Sequence, residues 1–301
     1  MAQTDHIALV SLTDEIPIRD LLAVAAAVQK QVSRDFGPAW ELQATVNAFA
    51  DLISVPSDYL PVVVFGDPQE LAGRLAVAVG EEPAARLLEQ FRRNELSGIH
   101  LNAFTRQPFS LVEAGDGWEV AASHEILEMI ADPYGNRLIA AAHPIDPTKR
   151  VVYLIEVCDP CQAVWYPVNG IRVSDFYTPR YFDPVRSEAT RYSFTGEISY
   201  PLEVLPGGYL TWIDPLDSCL RQLQGDTQEP VLLADVTGLA ASTLPLRTLV
   251  DGNPLTPRVF GERAANAAAA AAGVDGGVRD AAQATAVATR EAVLSLAARR
   301  G

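Results

Sequence analysis

Between Trp118 and Ala131 the chain runs without a proline or a glycine, and Pro133 closes the run. Such a stretch reads as a helix that stops at the residue before the proline. Asp116 and Glu119, three apart, have the spacing of a capping box at its start. Ile126, Leu127, Met129 and Ile130 give it the apolar content of a core helix, which constrains everything around it. A buried helix must find partners for its polar groups, and this one carries Ser123-His124-Glu125-Ile126-Leu127-Glu128.

On a helix, residues four apart share a face. His124, Glu128 and Asp132 therefore project together, with Glu125 one step round. This is the logic of the zinc-binding His-Glu-x-x-His helix, in which two ligands one turn apart hold the metal and the glutamate between them acts as general base. Glu128 stands where the second histidine would be. A carboxylate also ligates zinc, but it makes the site harder and lets manganese, iron or calcium compete. The expected site is a divalent metal, zinc first, on His124 and Glu128, with a third carboxylate from Asp132, Glu156 or Asp159. The same residues also fit a hydrogen-bonded polar network in the core, or a solvated helix face.

The rest of the chain alternates β-like and helical runs. Ile7–Leu12, Glu41–Ala48 and Tyr59–Phe65 read as strands, and Ile18 to about Asp35 as a helix stopped by Gly37-Pro38. Helices are expected near 68–79 and 82–95, a short strand at Gly98–Ala103, and a loop from Pro108 to Gly117. After Pro133 the pattern turns to β: Val151–Val157, Val164–Val168, Ile171–Phe176 and Tyr209–Ile213. Asn169-Gly170 is a strong hairpin signal. Val231–Leu239 is ambiguous. Residues 262–300 are mostly alanine with scattered charges and read as helical pieces with little to bury. The expected division is a domain over 1–255 and an alanine-rich helical tail over 256–301.

Three segments together carry a family resemblance: Ser-His-Glu-Ile-Leu-Glu-Met-Ile-Ala-Asp-Pro at 123–133, Glu-Val-Cys-Asp at 156–159 with Asn-Gly-Ile-Arg-Val-Ser-Asp-Phe at 169–176, and Pro-Leu-Glu-Val-Leu-Pro-Gly-Gly-Tyr at 201–209. Arg-Asp-Phe-Gly-Pro-Ala-Trp at 34–40 fits the same group. The chain resembles, over roughly residues 5–215, a group of poorly characterised bacterial proteins with a zincin-like His-Glu-x-x-Glu helix. The resemblance implies an α+β, zincin-like fold: a first helix packed on a twisted sheet, then the active-site helix. It also implies a metallopeptidase-like hydrolase in which Glu125 activates a metal-bound water. The alternative is a catalytically inactive zincin-like scaffold that docks partners, or itself, through residues 262–301.

Composition narrows the partners. The net charge is −15 and the pI about 4.6, so phosphate backbones and anionic lipid surfaces are repelled. No nucleic-acid or membrane partner is expected; a peptide or protein substrate is. No apolar run is long enough to span a bilayer and no secretory leader is legible, so the reading is a soluble, cytoplasmic protein. The three cysteines do not form a disulfide framework. Cys158-Asp-Pro-Cys161 reads as two thiols at a strand end, with redox or metal roles as the other options. Tyr177, Arg180 and Tyr181, after the 171–176 strand, are candidates to stabilise an oxyanion.

Overall fold

The computed structural model describes residues 5–67, 71, 98–101, 108–237, 246–251, 253–257 and 263–264. Strands β1 (Asp5–Ser11), β2 (Ala44–Phe49), β3 (Tyr59–Phe65), β4 (Gly98–Leu101) and β5 (Phe109–Glu113) form one sheet in the order β2-β1-β3-β5-β4. Its pairings are parallel except that of β4 with β5. Strands β6 (Leu138–Ala142), β7 (Arg150–Leu154), β8 (Val164–Val168), β9 (Ile171–Ser174), β10 (Tyr209–Asp214), β11 (Cys219–Gln224) and β12 (Pro230–Asp235) follow. Of these, β12-β11-β10-β7-β6 make an antiparallel sheet. β8 and β9 pair as a hairpin, which the two-residue β13 (Arg263–Ala264) joins in parallel. The fold is mixed α/β, with few helices.

The helices are α1 (Ile18–Gln31), α2 (Gly37–Trp40), α3 (Trp118–Ala131) and α4 (Leu246–Asp251). α1 packs on β1 and β2, α3 on β3, β4 and β5, and both touch the β8–β9 hairpin. The two helices thus lie between the first sheet and the hairpin. One apolar core runs through them, from Ile7, Leu9, Val62 and Val64 by way of Val28, Ile126 and Met129 to Tyr153 and Trp212. Nearly all of α3 is buried, from Val120 to Ala131. No helix among the described residues is long and apolar enough to cross a membrane.

Several elements differ from the sequence reading. Gly37-Pro38 does not stop the first helix. A π-helical turn, Val32–Phe36, widens the backbone ahead of Pro38, which has no N–H to donate, and the chain stays helical through Trp40 until Glu41 turns left-handed at φ 56°. Gly37 is needed there because a Cβ would lie 2.7 Å from the carbonyls of Val32 and Leu42. On α1, Leu21, Val24, Ala27 and Val28 are buried, while Leu22 is exposed. Phe109–Glu113 is a strand, not a loop; Phe109 to Val112 are all buried, so it lacks the alternation of a half-exposed strand. The strand at 151–157 ends at Leu154. The capping box does not form: Asp116 and Glu119 both hold Arg172 of β9. At Asn169-Gly170 both φ values are positive, 53° and 83°, as a tight hairpin turn demands. The helices expected near 68–79 and 82–95 lie outside the described residues, apart from Leu71. So does the tail, apart from Thr256, Pro257 and β13.

A polar seam fixes the rotation of α3. Ser123 Oγ donates to Gln31 Oε1 of α1 at 2.9 Å and accepts the Ser174 N–H of β9 at 2.9 Å. Gln31 Nε2 in turn donates to the Ser174 carbonyl at 2.8 Å and meets the Tyr166 hydroxyl at 3.1 Å. All four residues are buried. Ser123→Ala strands a buried acceptor and a buried donor, and is expected to cost about 2–3 kcal/mol. Urea unfolding reads this; a midpoint equal to that of the parent protein would show that the seam does not hold the helix.

Just beyond β9, Asp175 accepts the N–H of Thr195 at 3.1 Å and its hydroxyl, tying down the 193–195 loop. Burial pushes its carboxyl up to about 6 in spite of these bonds. The folded protein therefore holds this proton to higher pH than the unfolded chain, where an Asp titrates near 3.9. Its contribution to stability is complete below about pH 4 and is lost as pH rises through 6, by about 3 kcal/mol. Asp175→Asn should flatten that part of the stability–pH curve, measured as the difference in urea midpoint between the two proteins from pH 4 to 7.

Candidate metal centre

α3 presents His124, Glu125 and Glu128 from its buried length. After β7 the chain leaves the sheet and passes beside this face. The N–H of Cys158 donates to Glu128 Oε1 at 3.1 Å, and the Cys158 thiol points at the His124 carbonyl at 3.9 Å. A 3-10 turn, Asp159–Cys161, then brings Asp159 to the histidine. His124 Nε2 lies 3.1 Å from Asp159 Oδ1 and 3.3 Å from Glu128 Oε1. The ligand atoms of His124, Glu128 and Cys158 all lie within 4.8 Å of one another.

Of the residues that the sequence singled out, His124, Glu128 and Asp159 meet here, and Glu125 is buried next to His124 on the same helix. Asp132 closes α3: its Oδ2 accepts the Arg137 N–H at 2.6 Å, and it is not in the His124–Glu128–Cys158 group. Glu156 is also outside that group. It lies in the segment after β7 rather than in a strand; it is buried, and neither carboxylate oxygen has a hydrogen-bond partner among the described residues. Of the loop candidates, Tyr177 comes nearest. Burial, then Glu156, Glu128 and Asp159, pushes its phenol well up, and its ring stacks on Tyr181 at 4.4 Å. Tyr181 donates to the Glu203 carbonyl at 2.9 Å, and exposed Arg180 pairs with Asp183. Cys158 and Cys161 are buried and free, with thiols held protonated by burial.

Sequence reasoning missed Arg247. It enters from α4, is 3% exposed and pairs with Glu128 Oε2, while its Nε lies 3.4 Å from Asp251 Oδ2. Nothing in Leu-Pro-Leu-Arg-Thr-Leu-Val at 244–250 marks this arginine.

The electrostatics are those of too many acids for too few cations. Burial would lower His124, but Glu128 and Asp159 outweigh it and push the imidazole up to about 10. Burial would raise Glu128, but Arg247 and His124 hold it down at about 2. Burial pushes Glu125 up to about 8 against the pull of Arg247 and His124. Glu156 goes well up, by burial and then by Asp159. The cluster either takes up protons or accepts a further cation.

A divalent cation fits the residues present. With metal–ligand bonds of about 2.0–2.2 Å, ligand atoms of a tetrahedral site stand about 3.3–3.5 Å apart. The His124–Glu128 separation of 3.3 Å is of that order, and a Cys158 sulfur within 4.8 Å of both ligand atoms could complete the set; Asp159, 3.1 Å from His124, lies outside this group. The imidazole, carboxylate and thiol donor set is also one that such an ion takes.

The backbone that carries Asp159 is set by a glycine. A Cβ on Gly208 would lie 2.5 Å from the Pro160 carbonyl oxygen and 2.7 Å from that of Asp159. Gly208→Ala is expected to push this turn off His124 while the sheets stay folded. The check is the near-ultraviolet circular dichroism together with cobalt(II) uptake of the purified variant. Uptake equal to that of the parent protein would show that the turn does not place a ligand.

No protein-family model matches the chain, and neither a curated protein nor a solved structure matches it.

Proposed function

We propose that the chain is a metal-dependent hydrolase of the zincin type, acting on peptide bonds, with a divalent cation held by His124 and Glu128, Cys158 the third group within reach and Asp159 beside His124. The observation that carries this reading is His124 Nε2 set 3.3 Å from one carboxylate and 3.1 Å from another, inside a cluster with excess acid. The architecture supports it too: a first helix on a twisted sheet, then a second helix bearing the His-Glu-x-x-Glu residues. Zinc is the first choice, and Cys158, whose sulfur is close enough to join, would favour it as a soft ligand.

A bound cation supplies an activated water and polarises a carbonyl. The chain's own groups do the rest. Glu125, buried beside His124 on the same helix, would receive the proton of the attacking water and pass it to the leaving amine. The Tyr177 hydroxyl, buried with Glu156, Glu128 and Asp159 as its charged neighbours, would be the donor to a developing oxyanion.

Complete burial favours a second reading. Structural zinc sites are closed, whereas catalytic ones keep an open position, and His124, Glu125, Glu128 and Asp159 are each at most 1% exposed. A closed centre would make this a scaffold stabilised by its metal.

Metal content of the purified protein by elemental mass spectrometry tests both. About one equivalent is expected in the parent protein, and little in His124→Ala/Glu128→Ala. Glu125→Gln should keep the metal and lose turnover of a fluorogenic peptide library by at least ~100-fold. Metal without turnover, and a melting temperature that falls on chelation, selects the scaffold. No metal after reconstitution with zinc, manganese or iron sinks both.

A further inference from the structure

Glu128 is held at both oxygens. Oε1 accepts from Cys158 N–H at 3.1 Å and faces His124 Nε2 at 3.3 Å, while Oε2 pairs with Arg247. The backbone that carries this guanidinium is itself fixed. The backbone N–H of Arg247 donates to the Gly135 carbonyl at 3.2 Å, and that of the preceding Leu246 to Asn136 Oδ1 at 2.9 Å. Gly135 and Asn136 belong to the turn that follows α3. Farther along, Thr256 Oγ1 donates to the Val250 carbonyl at 2.9 Å and accepts from Gln222 of β11 at 3.2 Å. Short α4 is thus tied to the end of the helix that carries Glu128 and to the antiparallel sheet. A lone counter-ion would not need such anchoring.

We infer that Arg247 is a positioning residue of the proposed centre: by clamping Glu128 Oε2 it leaves Oε1 alone to face the cation, next to His124 and Asp159. This rests on the metal-centre reading above. A free carboxylate can rotate and bind through both oxygens, which suits large ions with many oxygen ligands such as calcium. A carboxylate held at one oxygen is a single-point donor, which suits a four-coordinate ion at about 2.0–2.2 Å. Arginine fits the task because its planar guanidinium keeps its charge at every working pH and holds a direction that a lysine ammonium does not. Partners that hydrogen-bond to metal ligands commonly contribute 10–100-fold to metal affinity.

Charge and geometry predict opposite signs, which makes the idea testable. If Arg247 only occupied the cation's place, removing it would strengthen cation binding. If it positions Glu128, removing it weakens binding. Zinc affinity is measured by competition with a fluorescent chelator for the full chain and for Arg247→Met, Arg247→Lys and Asp251→Asn. The expected result is a loss of 10–100-fold in Arg247→Met, with smaller losses in Arg247→Lys, which keeps the charge, and Asp251→Asn, which frees Nε. The visible spectrum of bound cobalt(II), intense when tetrahedral, should weaken in the same order; a merely structural role would leave it unchanged in a folded variant. Should Arg247→Met fail to fold, the lysine and asparagine variants decide by the same criteria. Unchanged or tighter zinc binding in the folded variants overturns the positioning role alone. Absence of zinc binding in the parent chain overturns the centre itself and this role with it.

Discussion

Glu128 is the carboxylate on which three distant parts of the chain converge. It is fully buried on a helix and touches His124 one turn earlier, the backbone of Cys158 thirty residues on, and Arg247 from α4. Removing a charged carboxylate from water is costly unless it is paired and hydrogen-bonded. Each contact is therefore required of the fold and not merely tolerated by it. The segment after β7 must leave its sheet to bring an N–H to Oε1, and α4 must dock to bring a guanidinium to Oε2. The first sheet, the antiparallel sheet and α4 are linked through this group.

The helix that carries Glu128 is placed by Ser123, not by its apolar residues. A helix buried on nearly every side has no amphipathic stripe to set its rotation, since one apolar face packs about as well as another. Ser123 breaks that degeneracy by bridging Gln31 of α1 and the backbone of β9. His124 and Glu128 are then aimed at the 155–161 segment. The serine at the head of the His-Glu pair is thus the residue that gives the pair its direction.

The sequence shows local features far better than distant ones. α3, its polar positions, the strands at 59–65 and 164–168 and the turn at Asn169-Gly170 were legible because each depends on residues within one element. His124, Glu125 and Glu128 were legible for the same reason. Most of the misreadings have a different cause, contacts from far along the chain; Gly37-Pro38 is the local exception. Asp116 and Glu119 have capping-box spacing, but Arg172, more than fifty residues away, takes both. Gly37-Pro38 has the composition of a stop, but the π turn before it absorbs the proline. β6 and β11 are short or polar, and their strand character comes from neighbours in the sheet. Arg247 was illegible because nothing beside it in sequence reports that it is buried against an acid more than a hundred residues earlier.

The acidic cluster itself bears on what the chain is for. A core that needed only stability would be served as well or better by apolar residues of the same volume, since buried ion pairs seldom repay their desolvation. Here Glu125, Glu128, Glu156, Asp159 and Asp251 are buried near one arginine and one histidine. Burial raises both Glu125 and Glu156, against the pull of Arg247. Arg247 satisfies part of that excess at a single oxygen of Glu128 and leaves the side facing His124 and Asp159 to another positive species. A proton or, on the reading proposed above, a divalent ion would fill that place. The arrangement is thus costly as a core and coherent as a receptor for a cation.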